Sequence, residues 1–119
     1  MKRKMLATLL CSSMATQAFA TIKTIGKGDS IQFDTSKLSA QMKANYEIMK
    51  VKCVKCHTLE RTVVAINRGI APITGLPFDR NAIKAYGIKM KRKPDSNMNA
   101  QEIKACVELM NCLLDEANR

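Results

Sequence analysis

The chain reads as an all-α domain on three observations. Ile103, Cys106, Val107, Met110, Leu113 and Leu114 recur at three- and four-residue spacing and form one apolar stripe, while Lys104, Glu108, Asn111 and Asp115 face away. Leu38, Met42, Tyr46 and Met49 repeat the same period earlier in the chain. Between these stretches, Gly69, Pro72, Gly75 and Pro77 punctuate residues 58–79 into loop. No βαβ pattern, internal repeat or low-complexity tract interrupts the scheme.

Taken in order, the elements begin with a targeting signal. Lys2, Arg3 and Lys4 form a basic start, residues 5–14 are largely apolar, and Ala18-Phe19-Ala20 supplies the small residues a signal peptidase needs. The apolar run is too short for a bilayer-spanning helix, so residues 1–20 are expected to be a signal peptide cleaved after Ala20, with no stable membrane span. Leu10 stands where a lipoprotein signal has a small residue before its cysteine, which argues against a lipid anchor on Cys11. Residues 21–36, with Gly26, Gly28, Asp29, Ser30 and Asp34, show no sustained period and are expected to form an irregular N-terminal arm. The folded domain is expected over residues 37–119.

Ser36 or Ser39 is placed to cap the first helix, which runs through Gln41–Met49. One short helical turn is expected near Arg61–Ile66. Asp79 or Asn81 caps a helix through Ala82–Met90, and Pro94-Asp95-Ser96-Asn97 breaks the chain after it. Asn99 with Glu102 three residues later makes a capping-box start for the last helix, Ala100–Leu114.

The composition restricts the function classes. The net charge is +10, of which the signal segment carries three, leaving about +7. Acidic surfaces are natural partners at that balance, and a solvated basic face is the plainer reading. Nucleic acid is not expected: apart from Lys89, Lys91, Arg92 and Lys93 the cations are scattered, and no recognition helix or stacking platform is visible. There is no Trp, and the part after the expected cleavage site keeps only Phe33, Phe78, Tyr46 and Tyr86 as aromatics. A domain this small with so little aromatic mass commonly depends on a disulfide, metal or cofactor.

The chemistry concentrates in Cys53-Val54-Lys55-Cys56-His57, the C-x-x-C-H signature of covalent haem attachment. Two thiols at this spacing add to the two vinyl groups on one edge of the porphyrin, and the next residue is then held beneath the iron as an imidazole ligand. Its second ring nitrogen is expected to donate to a backbone carbonyl, with Pro72 or a neighbour as the source. The rival chemistries are weaker. A thioredoxin-like pair needs a βαβ context, and a zinc site needs a fourth ligand that only Cys106 or Cys112 can bring. A Cys53–Cys56 disulfide closes a strained short loop.

His57 is the sole histidine, so two-histidine ligation within one chain is excluded. Methionine is the expected sixth ligand, from Met42, Met49, Met90, Met98 and Met110. Met42, Met49 and Met110 lie on apolar helix faces, where methionine is ordinarily core filler. Cys106 and Cys112 would stand about 9 Å apart on one helix, too far for a disulfide. Cys106 reads as a core residue, and Cys112 as a free thiol able to link two molecules of an otherwise monomeric protein.

The stretch Tyr46–Arg61, together with Lys89-Met90-Lys91-Arg92-Lys93-Pro94 and the closing helix Ala100–Leu114, resembles the small single-haem class I-type cytochromes c of bacterial periplasms. The resemblance implies N- and C-terminal helices packed around one covalently bound haem c, with Cys53 and Cys56 as attachment points and His57 as an axial ligand. In that family the distal methionine precedes the acidic start of the last helix by some ten residues. Met90 stands about a dozen positions before Glu102, so the resemblance carries the role to Met90, with Met98 as the alternative. The chain lacks the Met-Pro pair of the larger family. The implied function is electron transfer between acidic redox partners in the periplasm, such as other cytochromes or a reductase. The alternatives are a peroxidase-like enzyme or sensor with an open sixth position, for which no spare histidine is present, and a docking subunit of a redox complex.

Overall fold

The computed structural model describes residues 22–55 and 57–119. Four α-helices occur among them: α1 (Ala40–Lys52), α2 (Glu60–Arg68), α3 (Arg80–Arg92) and α4 (Ala100–Ala117). The all-α expectation therefore holds, with one addition. The segment expected as an irregular arm carries a two-stranded antiparallel ribbon, β1 (Thr24–Ile25) paired with β2 (Gln32–Phe33), joined through a 3-10 turn at Gly28–Ser30. The ribbon is fastened from both sides. The Ile22 N–H donates to Asn67 Oδ1 at 3.0 Å, and the Phe33 N–H donates to the Tyr46 hydroxyl at 2.9 Å. Strands of two residues leave no alternation to read, and the burial of Phe33 is decided by the Tyr46 ring it meets edge-on. The expected signal peptide and its cleavage site after Ala20 lie outside the described residues, as does Cys11. No helix of the described residues is long and apolar enough to cross a membrane.

Three of the four helices, α1, α3 and α4, start where a side chain accepts from a free N–H group, whereas α2 starts after Leu59 with no such cap. Ser39, rather than Ser36, caps α1 by accepting from the Met42 N–H. Asp79, rather than Asn81, caps α3 by accepting from the Ala82 N–H. At α4 the capping box is complete: Asn99 accepts from the Glu102 N–H at 2.8 Å, and Glu102 accepts from the Asn99 N–H at 3.0 Å. The single turn expected near Arg61–Ile66 is a full helix, α2, because Val63 and Ile66 bury with Leu59 just ahead of them. Gly69 ends α2 in the left-handed conformation (φ 66°), which glycine adopts without strain. The following loop folds back on itself. The Ala71 N–H donates to the Leu76 carbonyl and the Phe78 N–H to the Gly69 carbonyl, and this delivers Phe78 to the core beside Tyr86.

α4 is the helix against which α1, α2 and α3 all pack. Cys106, Leu109, Met110, Leu113, Leu114 and Ala117 are buried on it, and Leu109 is fully excluded from solvent. The expected stripe is thus wider than Ile103–Leu114, and Ile103 and Val107 sit half-buried at its edge. Asn111, expected to face away, is half-buried, and its Oδ1 is enclosed with no hydrogen-bond partner among the described residues. Met49 and Met110 are buried and Met42 packs beside the core, as their helix faces predict. α3 approaches α4 at Gly87, where an added Cβ would stand 2.9 Å from Val107 Cγ2 and 3.4 Å from Ile103 Cγ2.

Two expectations follow. Gly87→Val overfills the α3–α4 contact and is expected to lower unfolding free energy by about 1–3 kcal/mol in urea titrations. Burial pushes the Tyr46 phenol above its ordinary value of about 10, so the folded state holds this proton more tightly than the unfolded state does. That contribution is complete below about pH 10 and is lost as pH rises through the higher folded value. Tyr46→Phe removes the acceptor for the Phe33 N–H, and the loss is expected to cost about 1–3 kcal/mol near neutrality. The variant should also fall less steeply than wild type between pH 9 and 11, read from urea midpoints across about that range.

Candidate functional site

The candidate site is built at the C-terminal end of α1. Buried Tyr46 and Met49 pin the helix to the core, and the Cys53 N–H donates to the Met49 carbonyl, which sets Cys53 as its cap. A 3-10 turn, Cys53–Lys55, follows. This tight exit places Cys53 half-buried and Val54 exposed. Cys56 lies outside the described residues, so its place relative to Cys53 is not described.

His57 is half-buried, and its Nδ1 lies 2.9 Å from the Thr58 carbonyl oxygen. A carbonyl only accepts, so Nδ1 is the donor of this bond and Nε2 is left outside it. The orienting carbonyl is therefore the adjacent Thr58, not Pro72 or another residue of the 69–79 loop. The reason is local: the chain turns immediately after the motif, and the nearest carbonyl is within reach of the ring.

Cys53 and Cys106 are 53 residues apart in the sequence, yet their sulfurs are 3.8 Å apart. Cys106 comes from the buried stripe of α4, so it is a core residue as expected and a neighbour of the motif as well. The hydrogen bond from Cys106 holds the Cys53 thiol below its usual range, while the same interaction and burial push Cys106 up. Cys112 is half-buried and reduced, with burial foremost in raising its thiol. It remains a single thiol away from this pair.

The two methionines occupy different settings. Met90 is half-buried on the last turn of α3, where its carbonyl accepts from the Lys93 N–H. Met98 is half-buried just before α4 and packs against the core. It also borders a cavity of about 430 Å³ with Lys52, Lys91, Arg92, Lys93 and Glu102. Lys52 Nζ spans the mouth of α4, 3.4 Å from Glu102 and donating to the Asn97 carbonyl at 3.1 Å. A second cavity of about 190 Å³ lies beside Val54, Thr58 and Leu59. Neither of these cavities is lined by His57 or Met90.

These residues fit a c-type haem in donor chemistry. The imidazole offers a ring nitrogen outside its bond to the Thr58 carbonyl, Cys53 is a free thiol, and two thioethers are half-buried. Room is a separate matter. The cavity at Val54 and Thr58 is smaller than the roughly 300–1,000 Å³ of ordinary ligand clefts, and His57 does not line it. Among the described residues, no group of three or more His, Cys, Asp or Glu side chains is placed to hold a metal ion. One imidazole with one thioether is a different donor set.

Comparison with protein-family models, with curated proteins and with solved structures found no match. The site therefore stands on its own geometry. Its α1–α4 frame depends on the start of α4, and Asn99→Ala, which opens the capping box, is expected to cost about 1 kcal/mol of stability by urea denaturation.

Proposed function

We propose that the protein is a small electron carrier holding one haem c, attached through Cys53 and Cys56 and ligated by His57, with Met90 as the sixth ligand and Met98 as the alternative. The observation that carries this reading is the C-x-x-C-H motif at the end of α1, with the His57 Nδ1–H committed to the Thr58 carbonyl. A ring so tied offers Nε2 in a fixed direction, as an axial ligand requires. When bound, the haem supplies a one-electron iron couple. The chain would hold the group through the thiols of Cys53 and Cys56, the His57 imidazole and one methionine thioether. Ligation by one histidine and one methionine would favour a raised potential.

Surface composition supports the same reading. Val51 and Val54, beside and within the attachment segment, carry exposed apolar side chains. Apolar surface of this kind gains by covering a large apolar ring. Lys52, Lys91, Arg92 and Lys93 gather around the 430 Å³ cavity and suit transient docking of an acidic redox protein. The sequence leaves no second histidine for acid–base work above the iron, which favours a carrier over a peroxidase. Export to the periplasm through residues 1–20 belongs to the same proposal, since haem of this type is attached outside the cytoplasm.

Produced in a host that attaches c-type haem, the full chain is expected to keep haem through denaturing electrophoresis. Cys53→Ala and Cys56→Ala should each lose one thioether by mass spectrometry. The ferric protein is expected to show a methionine–iron charge-transfer band in the near infrared, abolished by Met90→Ala and retained in Met98→Ala. The reverse pattern moves the ligand to Met98. A chain that emerges without haem, while a control cytochrome in the same cells is loaded, overturns the reading.

A further inference from the structure

Cys53 and Cys106 are far apart in the sequence and adjacent in the fold. Their sulfurs are in contact at 3.8 Å, and both backbones are held by helix: Cys53 by its N–H bond to the Met49 carbonyl, Cys106 in the middle of α4. A second link fixes the two helices at the same level. Lys52, one residue before Cys53, reaches Glu102, one turn before Cys106. Small side-chain rotations separate sulfur contact at this distance from a bond of about 2.0 Å.

The two thiols differ in access. Cys106 is 2% exposed, whereas Cys53 is half-buried at the end of its helix. An external reagent therefore meets Cys53 before the buried Cys106. The hydrogen bond from Cys106 also favours the Cys53 thiolate, which is the attacking form. Cys112, the other described thiol, has no such partner, and its spacing on α4 keeps it from Cys106.

We propose that Cys53 and Cys106 are a dithiol pair that closes to a disulfide stapling α1 to α4, with Cys53 as the attacking thiol and Cys106 as the resolving one. The oxidant is a disulfide, either a small molecule such as oxidised glutathione or a protein thiol oxidase. The Cys53 thiolate attacks one sulfur of the oxidant, forming a mixed disulfide and expelling the first thiol. The Cys106 sulfur then attacks Cys53 within that mixed disulfide and releases the second. Two protein thiols lose two electrons and two protons, and the oxidant gains both as two thiols. A sulfur in this bond has none left for a thioether, so the staple and covalent haem at Cys53 exclude one another. The staple itself needs no haem.

The test uses the haem-free full chain, reduced and then exposed to oxidised glutathione, so its outcome is independent of whether haem is ever attached. Non-reducing peptide mapping is expected to recover Cys53 joined to Cys106. The oxidised chain should melt more than ~10 °C above the reduced one, as closure of a long loop implies. Cys106→Ser is expected to stop at a glutathione adduct on Cys53, and Cys106→Ala, which keeps the position apolar, gives the same reading if serine impairs folding. A Cys53–Cys56 bridge in the wild type, a Cys106 that stays open to alkylation after unfolding, or zinc retained by the pair in place of oxidation overturns the proposal.

Discussion

The fold depends on one constraint: a single apolar stripe on α4 is the common partner of three helices. A helix offers little more than a third of its circumference to a core, yet α4 must bury against α1, α2 and α3 together. Its 18 residues provide the length, and Leu109, Met110, Leu113 and Leu114 provide most of the bulk. The approach of α3 is close because Gly87 presents no side chain to Val107 and Ile103. With no Trp in the chain, aliphatic and thioether groups do the work that larger rings perform in other small domains.

The same constraint explains the position of the candidate site. α1 runs along α4 and ends beside its first turns, so the motif emerges next to the capping box, the Lys52–Glu102 pair and the buried Cys106. The basic groups of the α3 end and the 3-10 turn after it then surround the cavity at that junction. Charge and thiol chemistry are neighbours here because two helix ends meet.

Much of this was legible in the sequence because helices announce themselves locally. The three-and-four spacing of Met42, Tyr46 and Met49, and of Cys106, Met110 and Leu113, marks buried faces, and Ser39, Asp79 and Asn99 mark starts. What escaped depends on partners distant in sequence. The ribbon at 24–33 rests on one hydrogen bond to Tyr46 and another from Ile22 to Asn67, neither of which leaves a periodic trace. Glycines and prolines after residue 68 masked the length of α2, whose own residues are sound helix formers up to Gly69. The Cys53–Cys106 contact had a faint signal, since both residues lie on faces turned to the core, but spacing alone does not pair faces of different helices. Asn111 shows the converse, a polar residue drawn half inside by the apolar neighbours on its own turn.

The order of the elements along the chain has a kinetic consequence. α4 is the last of the described helices to be synthesised, and until it is available α1 and α2 share only the ribbon at 24–33 and α3 lacks its main packing partner. Each of the three is at most 13 residues long, too short to persist alone in water. The face that α4 supplies is therefore missing while the earlier part of the chain is being made, and packing against it is deferred to a late event. A thiol at residue 53 spends that interval exposed, and its buried neighbour reaches it only when folding is nearly complete.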